Sequence, residues 1–109
     1  MRFVDTNVFV RFLAGEDTRL AHVARDVFAL STDENRFFTT NDAVIAEVIY
    51  VLTSSMYQLT RDQVAARLHT ILQLPSCRIA NLGVVVEALY VWQYQPRLSF
   101  VDALCLTTS

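Results

Sequence analysis

The sequence contains no lysine: all nine of its basic residues are arginine, against eleven acidic ones, for a formal net charge of −2. That balance excludes a protein that coats nucleic acid by bulk electrostatics, so any such contact must be local. Arginine makes forked contacts to phosphate or carboxylate, although a GC-rich genome would favour arginine codons for an unrelated reason. Cysteine is equally scarce. Cys77 and Cys105 stand without a CxxC or Cys/His spacing, which excludes a disulfide framework or a thiolate zinc site and predicts two reduced, buried, small apolar residues, neither of them a nucleophile. Two glycines and two prolines leave little for long loops, and no repeat, linker or low-complexity segment interrupts the chain. No apolar run reaches the roughly 18 residues of a membrane helix, and the N-terminus lacks the basic region and cleavage site of a secretory signal. A cytoplasmic protein with no membrane partner is the expectation.

What the chain does have is apolar content. At 109 residues and 53% hydrophobic it suits one domain, 1–109, with a real core. "RFVD" reads as a short strand, "NVFVRFLAG" as a helix ending near Gly15, and "DTRLAHVARDVFALST" as an amphipathic helix with Leu20, Val23, Ala24, Val27 and Phe28 on its apolar face. The polar turn "STDEN" leads to a second strand, "RFFTT", and then to "NDAVIAEVIYVLTSS", a helix apolar nearly all round. "LTRDQVAARLHTILQL" is a further helix with Thr60 as N-cap and Gln63 completing a capping box, stopped by Pro75. "CRIAN" predicts a third strand, "GVVVEALYVWQYQ" a helix, and "SFVDALCLTTS" a last helix. Short strands alternating with helices indicate an α/β domain with a small, helix-covered parallel sheet, because parallel strands need crossovers and these are helical.

Three acids stand in apolar surroundings. Glu47 is the only charge between Ala43 and Leu52, with Ala43, Val44, Tyr50 and Val51 as its helical neighbours, which predicts at least partial burial. A buried carboxylate must protonate, pair with an arginine or bind a cation. Asp102 is the only charge between Phe100 and Leu106, but Ser99 three residues before it fits a capping box. Asp5 is a good N-cap for the helix beginning at Thr6; it also ends a strand, where open α/β sheets place their ligands. Each acid has an architectural explanation, so function depends on their arrangement. If the three converge, each ionised pair about 5 Å apart repels by roughly 3 kcal/mol at an effective dielectric near 20. A cluster of that kind requires a cation, and all-oxygen ligation without His or Cys suits Mg²⁺ or Mn²⁺. His22 and His69 lie on amphipathic helices without ligand spacing and read as surface or boundary residues.

"FVDTNVFVRFL", "NDAVIAEVIYVL" and "LSFVDALCL", in this order among alternating strands and helices, resemble a PIN-domain protein, closest to the VapC-type ribonuclease toxins of prokaryotic toxin–antitoxin pairs. The resemblance covers the whole chain and implies a three-layer α/β/α fold. It implies a Mg²⁺- or Mn²⁺-dependent endoribonuclease, a toxin inhibited by a cognate antitoxin and usually homodimeric. In it Asp5, Glu47 and Asp102 match the metal-binding catalytic acids; the cation polarises the scissile phosphate and activates a water, so no protein nucleophile is needed. Thr6 and Asn7 match the polar pair after the first acid, with Asn7 expected to orient Asp5 or a bound water. Ser99 is expected to line the same pocket, and Arg11 and Arg97, with Arg19 and Arg25, are candidates for RNA phosphate contacts.

The chain departs from the family in one respect. Family members continue into a further strand carrying a fourth acid, whereas this sequence stops at Ser109, so the expectation is a sheet lacking its last strand, with "RFVD" exposing an unpaired apolar edge. The alternative function is therefore a catalytically impaired protein-binding module that keeps the fold and holds an antitoxin or partner subunit, using apolar residues between Asn7 and Ser31. Two other phosphate chemistries are excluded. A haloacid-dehalogenase-type phosphotransferase needs a second Asp where Asn7 stands, and a response-regulator receiver needs a lysine.

Overall fold

The computed structural model describes residues 1–28 and 37–108. In chain order these form β1 (Arg2–Phe3), α1 (Thr6–Leu13), α2 (Arg19–Val27), β2 (Phe38–Thr39), α3 (Asp42–Leu52), α4 (Arg61–Leu72), α5 (Leu82–Tyr94) and α6 (Phe100–Thr108). The predicted α/β alternation is present, with six helices among the described residues around a small parallel sheet. The expected polar turn over 31–35, and any continuation of α2 beyond Phe28, lie outside the described residues.

β1 and β2 run parallel with Arg2 opposite Phe38 and Phe3 opposite Thr39. The amides of Arg2 and Val4 donate to the carbonyls of Phe37 and Thr39 at 3.0 and 2.9 Å. The Thr40 hydroxyl then donates to the Val4 carbonyl at 2.9 Å in a buried position, tying together the two carboxyl ends of the sheet. The third strand predicted over 77–81 is only a single bridge, Phe38 to Cys77, held by Phe38 N–H to Ser76 O and Arg78 N–H to Phe38 O. Its extension is cut short by a turn: the Leu82 amide already donates to the Ile79 carbonyl, and α5 begins at Leu82. Among the described residues β1 is paired on one side only, and Phe3 there is 58% exposed.

The helices form where capping side chains and apolar spacing coincide. Asp5, Thr18, Asn41 and Thr60 each accept a hydrogen bond from an amide in the first turn they precede, and Thr60 with Gln63 makes the predicted capping box. α1 ends through Gly15 at φ +73°, a left-handed backbone that glycine adopts without steric cost. Two carbonyl ends are closed from elsewhere in the fold. Arg67 of α4 donates to the Leu13 carbonyl of α1 at 2.6 Å, and Arg61 donates to the Trp92 carbonyl in the last turn of α5 and to the Gln95 and Pro96 carbonyls beyond it, while its guanidinium covers the Trp92 ring at 4.7 Å.

α1 packs on α2 and α3, α4 on α5, α5 on α6, and α6 closes onto α3. Phe9, Phe38, Ile45, Leu52, Leu68 and Ile71 are fully buried between them, each contributing about 1.5–3 kcal/mol of burial free energy. Phe28 stacks against Phe9, Phe12 and Phe38 with centroids 5.0–5.2 Å apart. Of the apolar residues of α1 and α2 that could serve partner binding, most are core. Val23 is 48% exposed and Leu20 only half-buried, both outside the core, because α2 buries Ala21, Ala24 and Val27. Cys77 is buried as expected, and burial pushes its thiol up to about 11. Cys105, expected buried, is exposed, since α6 buries only Phe100 and Ala103.

Candidate functional site

The carboxyl end of the parallel pair is where the first acid emerges. Val4 is buried, and the chain leaves β1 as Asp5, whose Oδ1 accepts from the Val8 amide at 3.4 Å. Beside it the chain leaves β2 through Thr40 into Asn41, which caps α3 by accepting from the Val44 amide at 2.9 Å. The amino ends of α1 and α3 therefore sit together at one edge of the sheet. Of the polar pair after Asp5, Thr6 is half-buried and Asn7 exposed, and no hydrogen bond joins Asn7 to Asp5 among the described residues.

Glu47 is exposed, which corrects the burial expected from its apolar neighbours. The core face of α3 is Ile45, Val48, Ile49 and Leu52, spaced i, i+3, i+4 and i+7. Glu47 lies on the opposite stripe with Ala43 and Tyr50, all three exposed. The arginine pairing considered for Glu47 is also not found: among the described residues the salt bridges are Arg11–Glu16 and His22–Asp17.

Asp102 and Ser99 form the capping box read from their spacing. The Ser99 amide donates to Asp102 Oδ2 at 3.2 Å, and the Asp102 amide donates to Ser99 Oγ at 3.1 Å. Both residues are exposed at the start of α6. Ser99, Phe100 and Val101 form one wall of a cleft of about 370 Å³ whose opposite wall is Ala46, Ile49 and Tyr50 of α3 and Thr53, which caps its carboxyl end. Ser99 thus does line a pocket, but its wall partners run from the buried Ile49 to the exposed Tyr50, a placement that sequence spacing does not contain.

Asp5 caps α1, while Glu47 and Asp102 are carried by α3 and α6, and α3 packs against both α1 and α6. By donor chemistry three carboxylates suit Mg²⁺ or Mn²⁺. By placement they do not: among the described residues no three His, Cys, Asp or Glu side chains stand close enough together to hold a metal ion. The convergence expected from the sequence is therefore not present as ligand geometry, because Asp5 and Asp102 are turned into helix caps and Glu47 faces solvent.

The four arginines considered for phosphate contacts divide into two groups. Arg11 donates to Glu16 Oε2 at 2.7 Å and approaches the Tyr57 hydroxyl, which itself donates to Glu16 Oε1 at 2.6 Å. Those bonds, from Tyr57 first and Arg11 second, hold the Glu16 carboxyl below its ordinary range. Arg11 is therefore committed to a staple between α1 and the segment after α3. Arg97, Arg19 and Arg25 are exposed, Arg25 within hydrogen-bond distance of His22 Nδ1 at 2.9 Å. Sequence reasoning passes over Tyr50, 75% exposed beside the cleft. Its position three residues after Glu47, on a helix whose other face is the apolar one, is the available signal.

A family model described as PIN domain matches residues 2–109, and no significant match is found among curated proteins or solved structures. The match spans every element of the fold. PIN domains are nuclease-type domains that generally depend on a divalent metal. By this match over residues 2–109, with the parallel sheet and surrounding helices that it covers, the chain belongs to the PIN domain family.

Proposed function

We propose that this chain is an endoribonuclease, the toxin member of a toxin–antitoxin pair, in which Asp5, Glu47 and Asp102 are the working acids. The observation that carries this reading is the state of those carboxylates. All three are exposed and none is neutralised by an arginine among the described residues. Asp5 and Asp102 each use one carboxylate oxygen in a cap, and Glu47 uses neither. Glu47 is exposed in the middle of α3 and takes part in no cap or ion pair among the described residues, which leaves its carboxylate open to a role outside the fold.

Mg²⁺ or Mn²⁺ is the cation of this proposal, on donor chemistry alone. RNA is the substrate, a cognate antitoxin the inhibitor and a homodimer the assembly, all drawn from the sequence resemblance. The test is to titrate Mg²⁺ and Mn²⁺ into the protein and into Asp5→Asn while following RNA cleavage. Asparagine keeps the cap, so the variant should fold as the parent does, bind metal more weakly and lose cleavage. Equal metal binding by both proteins, with no cleavage by either, would remove the enzyme reading.

A second reading draws on the dispersal of the acids, namely a non-catalytic module of the PIN fold that binds an antitoxin or partner subunit. It is the outcome in which neither protein cuts RNA and neither responds to metal.

A further inference from the structure

The cleft between α3 and α6 adjoins two of the three acids without containing them: Ala46 and Val101 line it, and Glu47 and Asp102 are the next residues in the chain. At its rim stands Tyr50, 75% exposed. Its wall and floor are apolar through Ile49, Phe100 and Trp92, and Trp92 is backed by the Arg61 guanidinium. Arg61 is held by three backbone carbonyls, so it acts as wall rather than as a ligand for phosphate. Two hydroxyls complete the lining. Ser99 Oγ accepts from the Asp102 amide and keeps its own hydrogen for donation, whereas Thr53 donates to the Ile49 carbonyl at 2.8 Å and keeps lone pairs for acceptance.

An exposed aromatic rim, an apolar slot and one donor with one acceptor match the face and edge of a nucleobase. Arg97, exposed and in no ion pair among the described residues, lies two positions before Ser99 in the chain and does not itself line the cleft. We infer that this cleft is a base-binding subsite for single-stranded RNA, with one unstacked base lying on Tyr50 and its backbone directed toward Glu47 and Asp102. A base inside a duplex is stacked on both sides and does not reach the slot. The choice of RNA as ligand rests on the proposed ribonuclease function; the location of the subsite rests on the cleft.

The test separates the two. A short single-stranded RNA carrying one 2-aminopurine is bound in EDTA, where cleavage does not interfere, and compared with the same strand in a duplex. The subsite predicts at least ten-fold tighter binding of the single strand and quenching of the 2-aminopurine. It predicts about ten-fold weaker binding and loss of quenching in Tyr50→Ala, with both retained in Tyr50→Phe. Light scattering on the same proteins should give one unchanged oligomeric state. Absence of RNA binding, equal binding of duplex, an unaffected Tyr50→Ala, or a Tyr50→Ala that changes the oligomeric state, marking a protein-contact face instead, would each overturn the inference. Tyr50-dependent binding without cleavage in Mg²⁺ or Mn²⁺ would leave the subsite standing and remove the nuclease reading; cleavage indifferent to Tyr50 would do the reverse.

Discussion

Tyr57, Glu16 and Arg11 join residues 41 positions apart through bonds of 2.6 and 2.7 Å, and the pH dependence of that staple has a definite sign. Glu16 titrates below its ordinary value of 4.5, chiefly because Tyr57 donates to it. Its contribution to stability is thus complete above the unfolded-state pKa and is lost as the pH falls through the lower folded-state value. In urea melts at neutral and acidic pH, Tyr57→Phe should lose less stability on acidification than the parent protein. Identical acid sensitivity would show that the bond carries no linkage. At Gly15 the cost is conformational. A Cβ there would meet nothing within 4 Å, yet φ is +73°, so Gly15→Ala should lower the unfolding free energy by about 1–2 kcal/mol, read as a lower urea midpoint at unchanged slope.

Among the secondary-structure elements, Arg67 offers the cleanest test, since it closes the end of α1 from α4. Removing it leaves the Leu13 carbonyl without its 2.6 Å donor, and Arg67→Ala should cost about 1–3 kcal/mol, measured by the same melts. Caps and boundaries of this kind are largely legible in the sequence when they are local. Thr60 with Gln63 and Ser99 with Asp102 are spaced for their boxes and form them. What is not legible depends on contacts distant in sequence. Glu47 reads as buried from the identity of its neighbours, whereas the side of α3 that faces the core is fixed by α1 and α6 packing on it. "CRIAN" reads as a third strand, but a strand extends only as far as a partner runs beside it, and the turn at Ile79–Leu82 ends that partnership after Cys77. The arginines show the same limit. Their forked guanidinium groups suit phosphate, yet Arg61 and Arg67 are spent on backbone carbonyls that no spacing rule connects to them.

Across the whole molecule, the fold class follows from the sequence, and the match to the PIN domain over 2–109 agrees with it; the order of the helices follows as well. The ligand geometry of the acids does not follow, because convergence of three carboxylates depends on how α1, α3 and α6 are set against one another, on the scale of a single metal–oxygen bond of about 2 Å. Local capping competes for the same side chains: Asp5 and Asp102 serve the helices they begin. Glu47 serves none, and that singles it out. It is exposed, unpaired among the described residues and outside every cap, so Glu47→Gln alters a carboxylate without altering the fold. Cleavage of single-stranded RNA by this variant, in Mg²⁺ or Mn²⁺ and beside a urea melt, is the most direct measurement. The ribonuclease account predicts an unchanged melt with cleavage reduced at least a hundred-fold, on the scale of losing one essential catalytic group; cleavage equal to that of the parent protein would contradict it.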